Sequence, residues 1–121
     1  MGFGQHSDKR EKLIYLNSKE KEVVKSFVKE IREKLGNNIL EVRLFGSKVR
    51  GDFEDDSDID IFILVKKKEK VRDKISDIAA DYFFETNVPL WPVVYSVAEY
   101  KKNKELGSFF FENVSREGIA L

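Results

Sequence analysis

Cysteine is absent from this chain of 121 residues, which excludes both disulfide bonds and thiolate metal sites. A charge excess of either sign is also lacking, because 22 basic residues balance 22 acidic ones. A nucleic-acid-binding module normally carries a basic excess, so we expect no stand-alone binding to DNA or RNA. No apolar stretch approaches the roughly 20 residues of a membrane span, and the polar N-terminus has no signal-peptide core. We therefore expect a cytoplasmic protein without a membrane partner.

Proline occurs only twice, at Pro89 and Pro92, and both lie in one apolar segment. Because proline lacks the N–H group that a sheet interior needs, this segment is predicted to be an edge strand or an irregular pairing. The chain is long enough for one hydrophobic core but not for two. Residues 1–12 have no apolar period and are predicted to be a flexible arm, with residues 13–121 forming a single domain.

Apolar periodicity divides the rest of the chain into helices and strands. The predicted order is α-β-β-α-β-α-α, with strands at residues 39–45, 59–65 and 88–95. The first helix is predicted to begin at Asn17 or Ser18 and to end at Gly36, and the second to end at Asn87. The two last helices follow the third strand, and the final one is predicted at residues 108–116.

We make specific predictions for four side chains in these elements. Leu40 is expected on the buried face of the first strand, and Phe83 on the buried stripe of the second helix. Ser96 and Glu99 have the spacing of a capping box, so a short helix should begin there.

The strand at residues 59–65 is apolar on both faces, yet aspartates stand at its head. Asp58 and Asp60 are two positions apart, so on an extended chain they share a face, roughly 7 Å apart at the backbone. Burying a carboxylate is costly unless a cation or hydrogen-bond donors satisfy it. Hard oxygen ligands without histidine or cysteine favour Mg²⁺ or Mn²⁺ over zinc. The alternative is that Asp58 only caps a turn and Asp60 is a solvated strand residue.

A Gly-Ser pair, Gly46 and Ser47, follows the first strand and leads into a short acidic loop. Backbone N–H groups without partners bind anions at such a point, and the Ser47 hydroxyl can donate to a phosphate oxygen. Lys48 and Arg50 would neutralise the same phosphates, with Arg50 able to bind bidentately. The alternative for Arg50 is a salt bridge to the acidic loop. Together with the aspartates, these residues predict a metal-plus-nucleotide site.

The basic run at residues 66–70 and the aromatic residues near the end of the chain each allow two interpretations. The basic run is either a nucleic-acid patch or, as we expect, the solvated start of a helix. Trp91 and the phenylalanines at residues 109–111 either stack on a base or contact a partner, although helical spacing places at least two of the phenylalanines in the core.

The spacing of Gly46-Ser47, ten residues, and then Asp58-Ile59-Asp60 resembles the signature of the DNA polymerase β-like nucleotidyltransferase superfamily. The wider context resembles its minimal nucleotidyltransferases, and within them the MntA-like antitoxin group. This resemblance implies an α+β fold with a small mixed sheet flanked by helices. It also implies that Gly46 and Ser47 hold a nucleoside triphosphate, with ATP expected, and that Asp58 and Asp60 are catalytic and bind Mg²⁺ ions. The implied reaction transfers a nucleoside monophosphate to a hydroxyl group.

The chain departs from the family pattern at one point. Members usually carry a third acid on the next strand, but residues 88–95 contain no Asp or Glu, and Trp91 or Pro92 stands where the acid belongs. The nearest carboxylates, Glu85 and Glu99, fall on predicted helices.

The resemblance further implies a helical HEPN-type partner, with this chain as the antitoxin of the pair. Two functions therefore remain open. The chain is either an enzyme that nucleotidylates a partner protein or small acceptor, or a weak or inactive nucleotide-binding module that neutralises a partner by contact. An orphan αβ domain that binds cations weakly is a third reading. A homo-oligomer is also possible, and residues 109–121 are the predicted contact surface.

Overall fold

A computed structural model describes residues 15–46, 58–105 and 118–121, and these contain three α-helices and four strands. In chain order they are α1 (Ser18–Leu35), β1 (Ile39–Phe45), β2 (Ile59–Val65), α2 (Arg72–Thr86), β3 (Leu90–Ser96), α3 (Val97–Glu105) and β4 (Ile119–Ala120). The sheet order is β3-β2-β1-β4. β1 is antiparallel to both β2 and β4, whereas β2 and β3 are parallel. The α+β fold with a small mixed sheet is therefore confirmed.

Helix α1 begins and ends where its capping residues predict. The Asn17 side chain accepts a hydrogen bond from the Glu20 backbone N–H at 2.8 Å, and Glu20 accepts one from the Asn17 N–H at 2.9 Å. This reciprocal pair satisfies two N–H groups that a helix start leaves unpaired. Gly36 ends the helix with φ +51°, a conformation that favours glycine.

Strands β1 and β2 have the predicted bounds, but the prediction for Leu40 is wrong. Leu40 is 43% exposed, because the register of β1 against β2 shifts between Ile39 and Glu41. This irregularity places Leu40 outside the alternation that buries Ile39, Val42 and Leu44.

Helix α2 ends at Asn87, as predicted, in the left-handed conformation with φ 63°. The prediction for Phe83 is wrong, since its side chain is 45% exposed. β3 is one of the two edge strands of the described sheet, as the prolines predicted, and it begins two residues later than expected. α2 packs against this edge strand, and Phe83 lines a groove beside it rather than the core.

The two faces of the sheet differ in what covers them. One face packs against α1 and α2, and we call it the closed face; its strand residues are Ile39, Val42, Leu44, Ile59, Ile61, Ile63, Val65, Leu90 and Val94. The other face, which we call the open face, has a smaller cluster. In it Phe62 packs against residues that include Tyr95 of β3 and Tyr100 of α3. The site lies on the open face.

The C-terminal residues form a strand that the sequence did not predict. β4 pairs with β1, and the Leu121 N–H donates to the Val42 carbonyl at 2.9 Å. Ile119 and Leu121 pack against the core. Residues 119–121 are therefore part of the sheet, whereas residues 109–117 of the predicted contact surface lie outside the described residues. The predicted arm at residues 1–12 and the predicted helix at residues 108–116 both lie outside the described residues.

Within residues 15–46 and 58–105, no helix has both the length and the apolar character required to cross a bilayer.

Candidate active site

The site begins with a row of three residues across the open face. The register pairs Phe45 of β1 with Asp60 of β2, and Asp60 with Trp91 of β3. Residues paired in register point to the same face of a sheet. Asp60 is therefore flanked by an aromatic side chain on each neighbouring strand.

Gly46 lies directly against the carboxylate of Asp60. Its backbone has φ +84°, and a Cβ atom built on it would overlap Asp60 Oδ2. Both the conformation and the contact therefore require glycine at this position. The contact arises because β1 and β2 are antiparallel, so the residue that leaves β1 is next to the residue that enters β2. The sequence predicted Gly46 as a phosphate-binding residue, and the structure adds that it makes room for Asp60.

Asp58 is exposed at the residue preceding β2. It lines a groove of about 770 Å³ together with Trp91, whose side chain is 58% exposed. The structure thus places Asp58 and Asp60 at one end of the sheet, with Gly46 beside them. The other predicted nucleotide-binding residues, Ser47, Lys48 and Arg50, lie outside the described residues, so their functions remain predictions.

No third carboxylate joins this pair in the described part of the chain. Trp91, not Pro92, is the register partner of Asp60, since Pro92 pairs with Ile61. Among these residues, no three acidic, histidine or cysteine side chains are grouped so that they could hold a metal ion.

Glu99 has a structural function instead. It accepts a hydrogen bond from the Ser96 N–H at 3.0 Å, and Ser96 Oγ accepts one from the Glu99 N–H at 3.1 Å, which confirms the predicted capping box. The Ser96 backbone hydrogen bond lowers the pKa of Glu99 below its ordinary value of 4.5, and Lys68 lowers it further. Glu99 is therefore held as a carboxylate at the start of α3.

The residues present fit a divalent metal ion. Asp60 has its carboxylate beside a glycine without a side chain, and Asp58 is open to the groove. Both supply hard oxygen ligands, which suit Mg²⁺ or Mn²⁺, and both lie at the end of β1 where the predicted phosphate-binding loop begins.

The sequence did not identify three residues that line the groove next to Asp58. Lys68 was assigned to a solvated helix start and Phe83 to the buried stripe of the second helix, while Arg72 was not singled out. Helical spacing did not distinguish Phe83 from its buried neighbours, since Ile78 and Ala79 are also consecutive on this helix and both are buried.

Comparison with known proteins identifies the family of this chain. Residues 24–115 match the family described as the nucleotidyltransferase domain. "Putative protein adenylyltransferase MJ0141" of Methanocaldococcus jannaschii is 33% identical over 100 residues, covering 81% of this chain and 94% of its own. "Putative protein adenylyltransferase MJ0604" of the same organism is 32% identical over 108 residues, covering 84% of this chain and 97% of its own. The solved structure of "a putative nucleotidyltransferase from Sulfolobus solfataricus" is 28% identical, covers 84% of this chain and 85% of its own, and has a TM-score of 0.48.

The family match and the two Methanocaldococcus jannaschii relatives define the class of protein, an enzyme that transfers a nucleotidyl group. The chain belongs to the nucleotidyltransferase domain family, and the sequence prediction of a nucleotidyltransferase is confirmed.

Proposed function

We propose that this protein is a Mg²⁺-dependent nucleotidyltransferase that moves AMP from ATP to a hydroxyl group on a partner protein. The contact between Gly46 and the Asp60 carboxylate carries this proposal, because it joins the predicted phosphate-binding loop to the predicted metal ligand. The printed names of the two Methanocaldococcus jannaschii relatives support adenylyl as the group and protein as the acceptor. Mn²⁺ is the alternative ion.

The transfer forms one bond and breaks one. The acceptor oxygen attacks the α-phosphorus of ATP, the bond from that phosphorus to the bridging oxygen breaks, and pyrophosphate leaves. Mg²⁺, when bound, supplies positive charge that stabilises the attacking and leaving oxygens. Asp58 and Asp60 would hold the ion, and Gly46 and Ser47 would position the triphosphate. We assign the hydroxyl proton to solvent water, because the described residues place no further carboxylate beside the aspartates.

The partner and the compartment are part of the same proposal. The sequence resemblance supports a HEPN-type helical partner, a cytoplasmic location and a role as an antitoxin, in which transfer to the partner would neutralise it. A second function, neutralisation by contact without transfer, is favoured by one observation. Trp91 occupies the register position beside Asp60 where family members carry an acid.

Calorimetric titration of ATP, with and without Mg²⁺, tests the proposal. We expect Mg²⁺-dependent binding that weakens by at least about tenfold in the Asp58→Asn/Asp60→Asn variant, because the metal ligands lose their charge. The variant Asp77→Asn/Asp81→Asn is a matched control, since it removes two exposed carboxylates of α2 outside the groove and should bind as the wild type does. Absence of binding at millimolar ATP would contradict the enzyme and leave the contact-only function.

Labelling with α-³²P-ATP then separates the two functions. An enzyme transfers label to its partner and loses this transfer in the Asp58→Asn/Asp60→Asn variant. A contact-only inhibitor neutralises its partner equally well with and without the two aspartates.

A further inference from the structure

The groove beside Asp58 runs along the edge of β3 that has no neighbouring strand among the described residues. Every residue from Pro89 to Tyr95 lines it. Successive side chains of a strand point to opposite faces, so a groove that includes all of them must follow the backbone edge itself. α2 forms one wall, through Arg72 and Phe83.

The backbone of β3 offers hydrogen-bonding groups toward this groove. The Ile59 N–H donates to the Pro89 carbonyl at 2.8 Å, and β2 and β3 are parallel, so odd-numbered residues of β3 bond to β2. The N–H and C=O groups of Leu90 and Val94, and the C=O of Pro92, therefore point away from the sheet. The Ser96 N–H also points away, since it donates to Glu99 at the end of the strand. Pro92 has no donor to leave unpaired, which suits this edge.

Charge changes sign along the groove. Asp58 lies at the end where β3 begins, and Lys68 and Arg72 lie at the end where β3 finishes, because α2 starts there and runs back antiparallel to the strand. Lys68 Nζ forms an ion pair with Glu99 Oε2 at 3.3 Å, whereas Arg72 has no ion-pair partner in the part of the chain that the structure describes. The seven residues of β3 span about 20 Å.

Exposed aromatic side chains lie at the aspartate end. Phe83 is 45% exposed and Trp91 is 58% exposed, and both line the groove. Aromatic anchors in partly desolvated positions contribute much of the energy at protein interfaces.

We propose that this groove binds the acceptor, and that the acceptor is an extended polypeptide segment which adds to β3 as an outer strand. Its hydroxyl residue lies beside Asp58, an apolar residue contacts Phe83, and an acidic residue about six positions away pairs with Arg72. Backbone hydrogen bonds to Leu90, Pro92 and Val94 hold the segment, and the pairing of its acidic residue with Arg72 places its hydroxyl residue at the Asp58 end of the groove. This inference rests on the proposed function only for the transfer step, since the binding itself needs no nucleotide.

Two synthetic peptides test the docking. Each carries one hydroxyl residue in a Val- and Gly-rich sequence; one has glutamate six positions from the hydroxyl, and the other has lysine there. With Mg²⁺ and α-³²P-ATP, we expect the glutamate peptide to be labelled with about tenfold higher kcat/KM. Arg72→Glu should invert this preference, whereas Lys74→Glu, on the same helix but outside the groove, should leave it unchanged. An Arg72→Glu variant that keeps the wild-type preference would overturn the proposal.

Neighbouring phenylalanines provide the second matched pair. Phe83→Ala should lower kcat/KM for the glutamate peptide by about tenfold. Phe84→Ala should not change it, because Phe84 is 84% exposed and does not line the groove. Equal effects of the two substitutions would contradict docking in the groove, as would labelling of RNA oligonucleotides in place of peptides, which would identify a nucleic-acid acceptor.

Binding is measured separately from transfer. In ¹⁵N-labelled protein without nucleotide, the glutamate peptide should shift the Val94 amide resonance, and an unchanged Val94 resonance would overturn the proposal even if ATP binds. Conversely, a Val94 shift in a protein that does not bind MgATP would support peptide binding in the groove and contradict the proposed enzyme function.

Discussion

The closed and open faces of the sheet come from the same strands but differ in what they do. On β2, Ile59, Ile61 and Ile63 are fully buried under α1 and α2, while Asp60 between them turns to the open face. The closed face is satisfied by packing alone, whereas the open face keeps the half-buried carboxylate of Asp60 and an aromatic edge. Strand alternation therefore lets seven residues contribute to stability and to chemistry without competition between them.

Helix contacts beneath the closed face should have the largest effect on stability. Phe27 is fully buried and makes an edge-to-face contact with Tyr82, with ring centroids 6.2 Å apart. Phe27→Ala should lower the free energy of unfolding by about 3–5 kcal/mol, because it removes buried apolar surface and leaves a cavity. Denaturant unfolding measures this change, and the exposed Phe84→Ala should stay within about 0.5 kcal/mol of the wild type. Similar losses in the two variants would show that the closed face is not the source of stability.

Two glycines allow backbone strain to be separated from an effect on the site. Gly36 and Gly46 both have positive φ, but a Cβ atom at Gly36 meets nothing within 4 Å, whereas one at Gly46 overlaps Asp60. Each alanine substitution should cost about 1–3 kcal/mol of stability from backbone strain. Only Gly46→Ala should also weaken Mg²⁺-dependent ATP binding, because Asp60 must move. Calorimetry on both variants measures this difference, and equal ATP affinities would remove Gly46 from the site.

The titration of Tyr82 at alkaline pH should have a smaller effect on the free energy of unfolding, and this effect belongs to the closed face. The Tyr82 hydroxyl donates to Glu30 at 2.8 Å, and burial, with this bond, raises the pKa of Tyr82 to about 12 from 10.0. The folded state holds this proton more tightly, so the stabilisation is complete below pH 10 and is lost as the pH rises toward 12. Tyr82→Phe should lose about 1 kcal/mol near neutral pH and show a flatter decline between pH 10 and 12. Parallel unfolding curves for wild type and variant across that range would contradict this assignment.

The sequence predicted those features that depend on neighbouring residues. Asn17, Gly36, Asn87 and the Ser96–Glu99 box set helix ends through local hydrogen bonds, so their spacing was sufficient. The exposure of Leu40 depended on a register shift against another strand, and the two-residue β4 is too short to show any period.

The candidate site was likewise predictable only where it depends on residues close together in the sequence. Asp58 and Asp60 follow from spacing on one strand, and Trp91 was recognised as standing near the position of the missing acid. The contact between Gly46 and Asp60 required the antiparallel register of β1 and β2, and the groove required the position of α2 beside β3. Both depend on how distant segments pack, which no local pattern contains.

The chain has a single tryptophan, and Trp91 is in register with Asp60. Intrinsic tryptophan fluorescence therefore comes from one position on the open face, and because this side chain is 58% exposed its emission should be that of a hydrated indole before any ligand is added. Quenching or a blue shift would follow occupation of the site without an attached dye. Circular dichroism, by contrast, follows mainly the helices, two of which cover the closed face. Coincidence of the two optical signals during denaturation would mean that both faces unfold as one cooperative unit.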